Sequence, residues 1–178
     1  MPFKSFAALA ALWTGAFAAT AAQAAPATVC VSPREAEAVV ATVAPDLIRL
    51  TASMCAPSLP AGAYLRRPAD RLAAKYAVGG DGAWPIARAA LGKLLPPDSA
   101  QMLQNDFARP LVGSLLAPLL VKDLKPADCA SIDRLLSLID PLPAQNTVSL
   151  IVTVAELAQR KNPPAGGFVI CQPGAARP

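Results

Sequence analysis

The sequence predicts an all-α protein: a single compact bundle of six or seven short helices, stapled by two disulfides. Three observations carry that prediction. Apolar residues recur at helical spacing in segments punctuated by proline; aliphatic residues are plentiful while aromatic ones are few; and four cysteines follow a stretch built like an export signal. Beyond residue 24 the aromatic side chains are Tyr64, Tyr76, Trp84, Phe107 and Phe168. A core made from Leu, Val, Ile and Ala favours packed helices over a β-sandwich, in which aromatic and β-branched residues dominate.

The first element is a leader over residues 1–24. Lys4 and the amino terminus supply positive charge, Phe6 to Thr20 runs apolar, and Ala22-Gln23-Ala24 offers small residues for cleavage. Residues 25–178 then form one domain. A chain of about 150 residues buries roughly 68–70% of its unfolded surface, so the core does not depend on the disulfides. Removing Lys4 leaves fifteen basic against twelve acidic side chains, a mild excess of +3. Such a charge suits an anionic envelope surface without requiring one, and nucleic acid is not an expected partner.

Ser32-Pro33-Arg34-Glu35 opens the first helix with a capping box and proline at the first helical position. Ala36, Val39, Val40 and Val43 continue it. Pro45 kinks this helix or starts a second one carrying Leu47, Ile48 and Leu50, and Pro57 and Pro60 end the region. The next helix begins near Pro68 and stops at Gly79-Gly80-Asp81-Gly82, read as an interhelical turn. Ile86, Ala87, Ala90, Leu91, Leu94 and Leu95 mark another, closed by Pro96-Pro97. Asp98 or Ser99 caps a further one through Met102, Leu103 and Phe107.

Pro110 to Val121 is the most apolar piece, with Leu111, Val112, Leu115, Leu116, Leu119 and Leu120 on one wide face expected to be buried. It is shorter than the about 20 apolar residues that a bilayer needs, so no transmembrane segment is expected in residues 25–178. Pro126 and Asp128 start a helix with the stripe Ile132, Leu135, Leu136 and Ile139. Asp140-Pro141-Leu142-Pro143 breaks the chain before a helix running to Lys161 through Val148, Ile151, Val152, Ala155 and Leu157. The short break predicts an antiparallel hairpin. Phe168-Val169-Ile170-Cys171, after two prolines and two glycines, is expected as an extended tail on the bundle rather than a strand.

Export would place Cys30, Cys55, Cys129 and Cys171 in an oxidising compartment, where they pair. Four cysteines allow three connectivities. The hairpin brings Cys171 back towards Cys129, which leaves Cys30 with Cys55; these are the preferred pairs. That choice carries a condition. As one straight helix, Cys30 to Cys55 would span roughly 37 Å, whereas bonded Cα atoms lie within about 7 Å, so the chain must turn sharply at Pro45. The alternative, Cys30–Cys171 with Cys55–Cys129, ties the two ends of the domain together. Each bond is worth about 3 kcal/mol in the chain-entropy account.

The chemistry is defined mostly by what is missing. The chain has no histidine, which removes Ser–His–Asp and Cys–His catalysis, and paired cysteines supply no nucleophile or zinc ligand. The twelve acids are scattered; Asp133 and Asp140, two turns apart on one helix, read as surface charge rather than a glycosidase pair. The Gly79–Gly82 run has one acid and neither an EF-hand nor a P-loop pattern. No catalytic residue, metal site or cofactor is therefore expected. Arg67, Arg71 and Lys75 recur every four residues and form the one candidate contact face, beside Arg66, Tyr64 and Tyr76 and diluted by Asp70. It suits an acidic protein or phosphate-bearing lipid. The leading expectation is a secreted or periplasmic, non-enzymatic module that binds an envelope or secreted protein. The alternative is a carrier of lipid or another amphiphile, with the aliphatic helices as pocket walls.

Overall fold

The computed structural model describes residues 29–105, 107–162 and 168–171. Their elements, in chain order, are β1 (Cys30–Val31), α1 (Pro33–Cys55), α2 (Ala69–Leu94), α3 (Pro97–Met102), α4 (Ala108–Val121), α5 (Cys129–Ile139), α6 (Ala144–Lys161) and β2 (Val169–Ile170). Single 3₁₀ turns at Ala56–Ser58, Tyr64–Arg66 and Pro126–Asp128 shape the connections. The fold is all-helical, with six α-helices among the described residues. The expected leader and cleavage site lie outside them.

The α1 helix begins as its sequence dictates. The Ser32 hydroxyl accepts from the Glu35 N–H at 3.3 Å, and Glu35 Oε2 accepts from the Ser32 N–H at 2.8 Å, a closed capping box that satisfies two otherwise orphaned donors. The Lys93 ammonium of α2 reaches the other Glu35 oxygen. The helix does not turn at Pro45. It continues to Cys55 over 23 residues, roughly 34 Å at 1.5 Å per residue.

The preferred disulfide pairing is therefore corrected: an unbroken α1 holds Cys30 and Cys55 at opposite ends. The bonds are Cys30–Cys171 and Cys55–Cys129, with Cα separations of 5.1 and 5.4 Å. Two disulfides of this kind point to an oxidising compartment.

The glycine run is corrected as well. Gly79–Gly82 lies inside α2, which runs 26 residues without a break and also contains Pro85. A helical glycine costs about 1 kcal/mol relative to alanine, and the contact with α1 offers a compensation. Pro45 has no N–H to give the Ala41 carbonyl one turn earlier. Gly80 of α2 sits directly over that carbonyl, where a Cβ would stand only 3.1 Å from its oxygen. The proline frees a carbonyl on α1, and the glycine lets α2 approach it. Asp81 beside it pairs with Arg109 of α4.

α4 packs on α1 through its small residues, against expectation. Ala108, Gly113, Ala117 and Val121 are buried, and at Gly113 the Asp46 carboxylate occupies the place a Cβ would take. Of the leucine face expected in the core, Leu111, Leu115, Leu119 and Leu120 are each at least half exposed, and Phe107 extends the row. Close approach of two backbones turns the bulky stripe outward.

The core consequently forms three small clusters. One joins Ala44 and Ile48 to Leu72, Ala73, Tyr76 and Val148 at mid-bundle. A second surrounds the Cys55–Cys129 bond with Ala52, Leu59, Ala63 and Leu65. The third sets Val31 and Ile170 against Ala36, Ala90 and Val152. Val31 and Ile170 belong to a two-stranded parallel pairing, with Cys30 opposite Val169. The expected tail is thus a short strand. Its backbone is engaged by β1 and by Gln159, whose side-chain oxygen accepts the Ile170 N–H at 2.9 Å. The segment Pro33–Ser58 is long and apolar enough to cross a bilayer, yet α2, α4 and α6 pack around it and half of its most apolar window is buried.

Candidate functional site

α5 and α6 do not close on one another as a tight hairpin; α6 packs on α1, and α5 packs chiefly on the Tyr64–Arg66 turn. Three fastenings fix the position of α5. The Cys55–Cys129 bond fixes its first residue to the end of α1. Asp133 Oδ1 accepts the Leu65 N–H at 2.6 Å. Just past its last turn, the Asp140 carboxylate meets Arg71 at 3.1 Å, and the Asp140 carbonyl accepts from the Lys75 ammonium.

The wedge left between α1, the end of α4, α5 and α6 is an open cavity of about 520 Å³. The α1 wall is one continuous face: Val40, Val43, Ala44, Leu47, Ile48 and Thr51. Leu120, Val121 and Leu124 close one side. Ile132, Leu136 and Ile139 of α5 and Val148 and Ile151 of α6 form the others. Apart from Thr51, Tyr76, Asp123 and Thr147 the lining is wholly aliphatic. This size and character match pockets that hold small apolar ligands, which commonly measure about 300–1,000 Å³. Leu135 and Leu138 of α5, and Leu150 and Val154 of α6, lie exposed on the helices that form these walls.

One polar group in the wall has no protein partner. Tyr76 is 3% exposed, and among the described residues its hydroxyl is the buried side-chain atom without a hydrogen bond. Tyr76 and Val148 also line a second cavity of about 290 Å³, bounded by Arg34, Glu37 and Gln145, so they partition the two spaces.

The predicted basic face is divided. Arg67 precedes α2 and lies over the Tyr64 ring, 5.9 Å from its centroid, while Arg71 and Lys75 hold Asp140. Arg67 and Arg71 border a separate hollow of about 240 Å³ with Tyr64 and Ile48. Two of the three cations thus fasten α2 to the α5–α6 turn. Burial first, and then a hydrogen bond to Asp140, push the Tyr64 phenol above its ordinary range. Burial opposes ionisation of Glu35, but Lys93 and the Ser32 backbone and hydroxyl outweigh it and hold the carboxyl below its usual value.

All four cysteines are in disulfides. Asp133 and Asp140 do not face one another across a cleft; each fastens α5 to the neighbouring chain. No group of three metal-ligating side chains occurs among the described residues. Sequence reasoning did not single out Tyr76 or the α1 wall. The available signal was the spacing 40, 43, 44, 47, 48 and 51, which stays in helical register straight through Pro45. Comparison of the chain with protein families, curated proteins and solved structures finds no match.

Proposed function

We propose that the protein is an exported, non-enzymatic carrier of an amphiphile, which lays its hydrocarbon chain in the groove between α1, α5 and α6. The single observation that carries this reading is the cavity of about 520 Å³ with an aliphatic lining, held open by a disulfide and an ion pair. A core that merely packed would bring α5 down onto α1. Each methylene leaving water contributes about 0.8 kcal/mol, so a ten-carbon chain recovers about 8 kcal/mol before the costs of association. The apolar row from Phe107 to Leu119 on α4 and the exposed leucines of α5 and α6 suit a carrier that loads from a membrane surface. The disulfides fit delivery outside the cytosol, with Met1 to Ala24 as the signal removed on the way to the periplasm or medium.

The test is a titration with diphenylhexatriene, an uncharged rod-shaped dye that fluoresces on leaving water. The protein should take it up at a stoichiometry near one, and Leu47→Trp, which places an indole in the groove from the α1 wall, should abolish uptake while preserving the helical circular-dichroism signal. Uptake by the folded variant equal to that of the parent would end the reading. A second reading, a protein partner from the envelope, is favoured by the outward leucines of α4. Loss of a co-purifying protein on Leu115→Glu, with dye uptake intact, would select it.

A further inference from the structure

We infer that the groove selects an uncharged amphiphile with a single hydrogen-bonding head, such as a long-chain alcohol, and that this head binds inward at the Tyr76 hydroxyl. The inference rests on the carrier reading above and adds the class of ligand and its direction of entry.

Two independent observations carry it. The first is the orphaned phenol. A buried hydroxyl without a partner is disfavoured, and a phenol both donates and accepts, so an alcohol or ester oxygen satisfies it in either sense. The Tyr76 hydroxyl has almost no accessible surface, so the ligand's polar end reaches it by displacing the group that covers it.

The second observation is the charge of the lining. Asp123 is the one ionisable acid or base there besides Tyr76, and its carboxylate is exposed at the rim, 3.9 Å from the Lys122 ammonium. The wall contains no cation. Lys75 lies 5.9 Å from the Tyr76 ring centroid, but it donates to the Asp140 carbonyl, and Arg34 borders the second cavity rather than the groove. A carboxylate or phosphate carried inward would lose its hydration without gaining an opposite charge, the costliest form of burial. An uncharged head loses little and gains the phenol.

The experiment displaces bound diphenylhexatriene with decan-1-ol or with decanoate, ionised at about pH 8, from the parent protein and from Tyr76→Phe. Phenylalanine keeps the ring, so the variant retains the packing of the wall. The alcohol should displace the dye at least about tenfold more effectively than the anion. Tyr76→Phe should weaken the alcohol about tenfold relative to the dye measured on the same variant, the usual worth of one hydrogen bond. Decanoate competing as well as decanol, or decanol indifferent to Tyr76→Phe, would overturn the inference and leave the carrier reading standing. Failure of the parent to bind dye or either ligand would overturn both.

Discussion

Replacing the two disulfides one at a time should separate stability from function. Cys55 and Cys129 are 74 residues apart, Cys30 and Cys171 141 apart. Chain-entropy reasoning gives about 4.5 kcal/mol for the shorter loop and about 5 kcal/mol for the longer, near the upper end of what native disulfides contribute. Cys55→Ala/Cys129→Ala and Cys30→Ala/Cys171→Ala should therefore lower stability by comparable amounts. In a chain of this length each kcal/mol moves Tm by about 2–4 °C, so each double variant should melt roughly 10–20 °C earlier. Their effects on the groove should differ. The Cys55–Cys129 bond fixes the first turn of α5, whose Ile132 and Leu136 form a wall; the Cys30–Cys171 bond secures the β1–β2 pairing, away from it. Urea unfolding followed by circular dichroism gives the stability, and dye titration at low urea gives the site. Loss of Cys55–Cys129 should weaken dye binding about tenfold or more in molecules that remain folded, while loss of Cys30–Cys171 leaves it within about twofold. Equal losses of binding in both variants, or full binding without Cys55–Cys129, would refute the claim that this bond holds the groove open.

Two glycines inside helices should respond differently. Gly113→Ala puts a methyl where the Asp46 carboxylate lies, so this half-exposed side chain must swing aside, and the roughly 1 kcal/mol that alanine gains in a helix should be largely offset. Gly79→Ala has open space around the new Cβ and should stabilise by about 0.5–1 kcal/mol; chemical denaturation reads both. Ser32→Ala should cost about 1 kcal/mol through loss of the α1 cap. Glu35, with its pKa depressed from the ordinary 4.5 in the folded state, contributes stability at neutral pH that disappears as pH falls below that value through its folded pKa. The stability gap between parent and Glu35→Gln should accordingly close on acidification; a gap that widened would reverse the assignment.

How far the sequence revealed this molecule depends on which force set each element. The capping box at Ser32, the helical periods of α5 and α6, and the proline break between them are local, and all three stand where the pattern put them. The long-range features did not follow from local rules. Proline and glycine usually interrupt helices, yet the Ala41 carbonyl that Pro45 leaves free meets Gly80 across the α1–α2 contact, and no one-dimensional pattern records that meeting. Expecting α5 and α6 to close as a hairpin, which brought Cys171 towards Cys129, misdirected the disulfides. On α4, hydrophobicity drew attention to the leucines, whereas close packing selected Gly113 and Ala117 and sent the leucines outward. Tyr76 looked like an accessory to a basic stripe; that its hydroxyl is buried without a partner is a tertiary feature that spacing does not record. Arg71 and Lys75 have the spacing of a contact face, but Asp140, some seventy residues later, engages both.

Native mass spectrometry of the protein recovered without detergent from the cells that make it tests the carrier reading most directly. The account predicts a population heavier than the disulfide-bonded polypeptide by the mass of one uncharged amphiphile, released on gentle activation and missing from Leu47→Trp. A bare polypeptide throughout, from a preparation that also takes up no dye, would contradict it.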